Sequence, residues 1–519
     1  MMKRLFTSFF GLVFGVLAIV SCEDFLGRTP LDTPSSETFW QSADQAEMWV
    51  NNLYNGLGDV SEAYFEGFSD NAHGRAGASA NNIANGTFEP NSSTIEGNWS
   101  YRFIRLCLEF FENIEQVPDI SQSKMDELSG QVRFILAYRY YKLITLYRDV
   151  PLVTEPLSIE ESDVGKTSKS EVLDYILQQL DMAIQELPET WPQAQTGRIT
   201  KGAALALKSR VLLYNERWAE AAEAAKQIMD SGIYELHPNF DELFVSDFNN
   251  QTDEVILARQ YVEFQEESFL NRIYEPVSHT GFALVLPTDD LQASFRMEDG
   301  LPIDESPLYD PTNPFENRDP RYYDTFLWHG EELNGKPLDL TGSEFNFART
   351  YIYFKKYTQE PNERWQSHVN WKLFRYAEVL LNYAEAKNEA SGPEDSIYDA
   401  LDLIRERAGM PLVDRNRYSD QESLRQLIRN ERRVELAGEG LRYFDIIRWR
   451  IAEDKMNINL TSMDLSNWED GPVDENGDPI LTERPIEPRT FDPSRHYVWP
   501  IPQNAIDQST QLEQHAEWQ

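Results

Sequence analysis

The segment Asn430–Arg450 restricts the possible folds more than any other part of the chain. It reads as two helices with a break at Gly438–Gly440. Leu424, Leu427, Ile428, Val434 and Leu436 recur near the helical period and give the first helix an apolar stripe. Leu441, Phe444, Ile447, Trp449 and Ile451 supply much of the second stripe. The remaining positions are dense in charge: Glu431, Arg432, Arg433, Glu435, Arg442, Asp445, Arg448 and Arg450. Two readings follow. Glu435 and Asp445 could be an acid/base pair of an enzyme. Alternatively, forked guanidinium groups pair with these carboxylates and hold stacked helices in register. The second is the expectation, because such networks are common where amphipathic helices stack.

Helical patterning recurs on both sides of this segment. It begins near Ser42, a suitable N-cap, and runs to Leu57. Helices are expected over Trp99–Val117, stopped by Pro118, and over Met125–Tyr147. Ser168 and Glu171 form a capping box before a helix reaching Leu187. The run from Gly197 opens a helix to Tyr214, and Trp218–Met229 is closed by Gly232. Short helices rich in small residues, joined by tight turns, resemble tetratricopeptide repeats. Further repeat pairs are expected near Trp371–Ala390, Asp395–Ala408, Glu422–Ala437 and Leu441–Asp454. Between the helical halves, Glu254–Tyr261 and Thr350–Tyr357 read as strands within Pro- and Gly-punctuated loops. The fold class is therefore all-α: a tetratricopeptide-like helix-pair scaffold with a loop-rich insertion containing a few short strands. The N-terminal helical part covers about 37–232, the insertion about 233–370, and the C-terminal helical part and tail about 371–519.

The run Asn430-Glu-Arg-Arg-x-Glu-Leu-x-x-Glu-Gly-x-Arg-x-Phe-Asp-x-x-Arg-Trp449 resembles the C-terminal signature of the SusD/RagB family, surface lipoproteins of Bacteroidetes nutrient-uptake complexes. Phe374-Arg-Tyr-Ala-Glu-Val-Leu-Leu-Asn-Tyr-Ala-Glu-Ala386 is a second similar stretch, in which Glu378 and Glu385 are expected to join the arginine network. The closing His496-Tyr-Val-Trp-Pro-Ile-Pro502 is a third; Tyr497 and Trp499 there are expected to be structural. The resemblance implies a lipoprotein that captures a poly- or oligosaccharide reversibly and without catalysis. It would then deliver the ligand to a TonB-dependent SusC-like transporter. It implies no cofactor.

Residues 1–21 read as a lipoprotein signal peptide. Lys3 and Arg4 form a basic start, and Leu5–Val20 is apolar but short for a membrane span. Ile19-Val-Ser-Cys22 resembles a lipobox, with Ile19 in place of the usual leucine. By that resemblance Cys22 is the lipid-attachment residue, and its acyl chains tether the mature chain, 22–519, to the outer membrane at the cell surface. Cys107, the only other cysteine, lies in an apolar helical pattern and reads as a small core residue. Formal net charge is −40, which argues against a nucleic-acid partner because a phosphate backbone needs a basic face.

Residues 58–98 show no period and are rich in Gly, Asn, Ser and aromatics, a composition that suits a sugar site. Aromatic faces stack on the C–H face of a pyranose, while Asn and Arg bond its hydroxyls. Phe65, Arg75 and Asn82 are the candidates there. Tyr274, Tyr309 and Trp328 are the candidates in the insertion, Trp328 and Tyr309 foremost. For each, the structural alternative is a ring or side chain that plugs the core. Asp474–Asp478 hints at calcium, but Pro479 and Pro485 break the loop pattern, so a solvated turn is expected and no metal. No zinc-protease, phosphate-loop or Gly-x-Ser-x-Gly motif occurs. Two alternatives to glycan capture remain: RagB-like peptide capture, and a surface glycoside hydrolase, which needs only two carboxylates. A neutral glycan such as a β-glucan fits the acidic surface better than a uronate.

Overall fold

Capping residues set where the helices begin. In the computed structural model, which describes residues 39–75, 80–250, 252–279, 281–311, 313–340, 347, 349–358, 367–464 and 482–519, Ser42 accepts a hydrogen bond from Gln45 N and opens α1 (Ala43–Leu53). Helix α2 spans Arg102–Asn113, and α3 spans Gln122–Tyr147 behind Ser121. Ser168 opens α4 (Lys169–Glu186). Its hydroxyl accepts from Glu171 N and donates to the Glu171 carboxylate, so the box closes between the two side chains. Thr200 caps α5 (Lys201–Tyr214), and α6 (Trp218–Ser231) ends on Gly232 at φ 64°.

The helices then stack in chain order. Helix α3 lies on α4, α4 on α5, and α5 on α6. After the insertion, which contains α7 (Pro320–Thr325), come α8 (Tyr376–Ser391), α9 (Asp395–Arg407), α10 (Gln421–Glu435) and α11 (Arg442–Arg448). Helix α6 packs on α8, so the two helical halves meet directly. Ala221, Ala222, Ala224 and Ala225 are buried in α6, and Ala377, Ala384 and Ala386 are buried in α8. Short side chains allow the helices to approach closely. The tetratricopeptide-like scaffold is thus borne out.

The strand expected over Thr350–Tyr357 is confined to Tyr353–Phe354, and two further segments differ in kind from the sequence-based expectation. Residues 371–375, expected to start a helix, form a strand. β1 (Ala72–Gly74), β2 (Val255–Arg259), β3 (Val285–Pro287), β4 (Phe326–Leu327), β5 (Tyr353–Phe354) and β6 (Trp371–Arg375) pair two by two, all antiparallel: β1 with β3, β2 with β6, β4 with β5. Arg259 lies opposite Trp371 and Val255 opposite Arg375, so β6 is drawn out of the helix by the ladder with β2, and α8 begins only at Tyr376. The second difference is at 58–98. That stretch holds a 3-10 helix at Val60–Phe68, β1, and short helices at Ala80–Ala84 and Ser93–Asn98. Its aromatics pack inward, which hides any helical period in the sequence.

One apolar core runs through all three parts of the chain, joining Leu136 and Leu207 to Leu286, Phe326 and Leu380. Each such side chain contributes about 1.5–3 kcal/mol by leaving water. Cys107 is fully buried there, and burial pushes its thiol well above the ordinary range. Trp499 is also in the core, its Nε1 donating to Tyr443 Oη at 2.7 Å. Cys22, the leader and Asp474–Asp478 lie outside the described residues.

Candidate functional site

The charged hub of the sequence is buried, and it sets the position of the insertion. Arg321, Lys356, Arg375, Arg405 and Arg407 meet Glu254, Asp319, Glu431, Glu435 and Glu439, a balanced group of cations and carboxylates. Arg375 reaches Glu435 at 2.6 Å and Glu439 at 2.7 Å, and Arg321 reaches Glu431 at 2.6 Å and Glu435 at 2.9 Å. Burial alone would raise the Glu435 carboxyl; the guanidinium groups of Arg407, Arg375 and Arg321 overcome it and hold the carboxyl well below its usual range. Burial lowers the Lys356 ammonium to about 8, against the pull of Glu439.

A second group surrounds it. Arg432 and Arg448 bind Asp445 at 2.8 and 2.9 Å, Arg448 also grips Glu385, and Arg210 grips Glu378. Glu435 is fully enclosed and Asp445 nearly so. Neither can meet a substrate, so both serve the network, as the sequence reading favoured.

The network ends in an aromatic surface. Asp319 caps α7, with Pro320 at its first position, and also binds Arg321. Helix α7 is thereby clamped to Glu431 and Glu435, and it carries Tyr322 and Tyr323 out to β4 and Trp328. Trp328 lies parallel to Phe315, with ring centroids 5.2 Å apart and planes 9° apart. Tyr323 stands 6.0 Å and Tyr322 5.6 Å from the same indole. Tyr322 is buried; its hydroxyl donates to Gln292 Oε1 at 2.6 Å, and the Arg318 guanidinium lies 4.6 Å from its ring. Trp328, Phe315 and Tyr323 pack against the core yet remain part-exposed, so a rigid base supports a group of rings at the surface. Such a surface can stack on the C–H face of a sugar ring.

The six candidate ligand residues do not gather in one place. Trp328 lies on the aromatic surface, whereas Tyr309 is part-exposed and makes no ring contact with it among the described residues. Phe65 does not join Trp328: it is buried between Phe68 and Phe444, each 4.9 Å away. Tyr274 is fully buried and donates its hydroxyl to Gly438 O at 2.9 Å, bracing the glycine break of the hub. Both are core residues because their segments supply the apolar face that the 3-10 helix and β3 need. Arg75 donates to Phe282 O and lies 4.4 Å from the Phe347 ring. Asn82 is exposed on the Ala80–Ala84 helix. Phe315 and Tyr323 were not among the six. The Asp319-Pro320 step could have indicated Tyr323, since an N-cap followed by proline starts a helix that carries Tyr322 and Tyr323; no such signal marks Phe315.

Comparison with known proteins agrees with this architecture. The SusD family model matches residues 245–518, and the model described as starch-binding associating with outer membrane matches residues 30–213. SusD-like protein P25 of Formosa agariphila is 24% identical over 486 residues, covering 85% of this chain and 89% of that one. The structure of a SusD-like carbohydrate binding protein from Bacteroides fragilis superposes with a TM-score of 0.83 at 29% identity, covering 92% of this chain and 100% of that one. A laminarin binding SusD-like protein superposes at 0.69 with 22% identity, covering 92% and 100%. With the signature in α10 and α11 matched inside a family model that spans more than half of its length, this chain belongs to the SusD family.

Proposed function

We propose that this protein is a non-catalytic surface lipoprotein that captures a glycan on the Trp328 surface and passes it to a TonB-dependent SusC-like transporter. One observation carries the reading: the parallel Phe315–Trp328 pair, part-exposed and flanked by Tyr323, which stands on a helix fixed by buried ion pairs. Stacking on such rings supplies binding without breaking a bond. Reversible capture also suits onward release. The Bacteroides fragilis relative named as carbohydrate binding supports the ligand class. Cys22 would carry the lipid that holds the protein to the outer membrane.

The ligand favoured is a neutral glycan. Once Lys3 and Arg4 leave with the leader, the net charge is −42, and an acidic polymer would be repelled. The test is affinity-gel retardation of the chain from residue 23 on laminarin, starch, pectin and alginate. Retardation on a neutral gel is expected, falling at least about tenfold in affinity for Trp328→Ala, the cost of one hot-spot ring. No retardation on any gel, with binding to peptides instead, would replace this reading by peptide capture.

A further inference from the structure

A second place in the molecule has the chemistry of a sugar site, and no residue of it belongs to the Trp328 surface. Two clefts of about 190 and 280 Å³ are both lined by Glu189, Ile233 and Tyr234. They lie where the α4–α5 turn, the end of α6 and β2 come together. The first also contains Trp191, Asn250 and Gln260; the second contains Lys201 and Gln227. We propose that this groove past Tyr234 is a second carbohydrate site, which takes a short neutral oligosaccharide. The proposal rests on the glycan-capture reading above.

The groove is built rather than incidental. The Tyr234 ring is half-buried, and its hydroxyl lies 3.2 Å from Thr200 Oγ1. It crosses Gly202 so closely that a Cβ there would come within 2.2 Å of the phenol oxygen. Gly197, at φ +91°, does the same for Gln260, whose Cδ would lie 2.9 Å from an added Cβ. Gly197 in the turn and Gly202 in the first turn of α5 therefore make room for an amide and an aromatic ring. Trp191 donates its Nε1 to Ile199 O at 2.9 Å, which fixes the indole with its ring half-exposed. Gln260 Oε1 accepts from Asn370 at 3.0 Å, which orients the amide and leaves Nε2 only a 3.4 Å approach to Ala258 O.

The polar groups fit hydroxyls better than ions. Glu189 and Lys201 stand 3.6 Å apart and offset each other. Arg198 in the first cleft is paired with Glu47, and Asp230 in the second with Lys226. The remaining polar groups are amides and hydroxyls, which both donate and accept, as a sugar hydroxyl does. Trp191 and Tyr234 offer the apolar faces. Two sites on one chain would raise retention on a polymer well beyond either site alone.

The test is titration calorimetry of the mature chain with laminaritriose and with maltotriose. Two equivalents are expected for at least one sugar. Trp328→Ala should keep one equivalent. Tyr234→Ala, and separately Asn250→Ala at an exposed position that holds no helix, should weaken the other at least tenfold while leaving the Trp328-dependent event unchanged. Circular dichroism identifies any variant that fails to fold. A single equivalent in the wild type, abolished by Trp328→Ala and untouched by Asn250→Ala, overturns the second site while leaving the capture reading intact. Heat from neither sugar overturns the second site too; whether the polysaccharide gels still retard the protein then decides if the capture reading falls with it.

Discussion

Buried carboxylates in this protein are of two kinds. Glu435 is held charged by three arginines, so removing its charge strands them. Glu435→Gln is expected to destabilise the fold by about 3–5 kcal/mol, seen as a lower urea midpoint with an unchanged slope. A loss below about 1 kcal/mol would mean the network is dispensable. Glu66 is the other kind. Burial raises its carboxyl to about 7, only partly offset by hydrogen bonds from Asn71 and Gly440. The folded state therefore holds the proton more tightly than the unfolded chain, whose value is near 4.5. The resulting stability is present below pH 4.5 and is lost as pH rises through 7, about 3 kcal/mol in all. Glu66→Gln should lose that pH dependence and gain on the wild type from pH 5 to pH 8; parallel curves would show that Glu66 does not titrate in this range. Sequence could pair Glu435 with arginine but not name the partners. Arg375 and Arg321 are 60 and 114 positions away, and only the fold brings them in.

Helix boundaries were readable where a cap or a breaker declares itself, as at Ser168, Gly232 and Gly438–Gly440. They were not readable at 371–375, where Trp371, Leu373 and Phe374 suit a buried strand as well as a buried helix, and the choice is made by pairing with distant β2. The candidate site was half legible for the same reason. Loop composition picked out Trp328 and the part-exposed Tyr309, which makes no ring contact with it, and the same composition picked out Phe65 and Tyr274, whose burial depends on long-range packing. The glycine break itself can be tested. Gly232 and Gly440 both have positive φ, 64° and 75°, but a Cβ on Gly232 meets nothing within 4 Å. On Gly440 it would lie 2.4 Å from Glu62 O, a backbone atom. Gly232→Ala should cost about 1 kcal/mol, from backbone strain alone. Gly440→Ala should cost about 2–5 kcal/mol, since strain and overlap combine. Thermal unfolding of both variants tests the difference; equal losses would mean the α10–α11 break has room to shift.

Charge acts over the whole molecule, and it distinguishes ligand classes without reference to any single contact. With 87 acidic and 47 basic residues, the surface repels an anionic polymer before any ring can stack. That repulsion is screened over about 10 Å at 0.1 M salt and over about 3 Å at 1 M. A neutral polymer feels none of it. Retardation on laminarin or starch should therefore barely change between about 0.05 and 0.5 M salt. Any retardation on alginate or pectin should be weakest at low salt and grow as salt is added. The opposite trend, strong binding to alginate at low salt that fades with salt, would require a local basic face able to overcome the net charge. The described structure places its most densely grouped arginines inside, paired with carboxylates, where they cannot reach a polymer. A salt series on two gels thus separates stacking by exposed rings from attraction by charge, and it does so on the intact, unmutated protein.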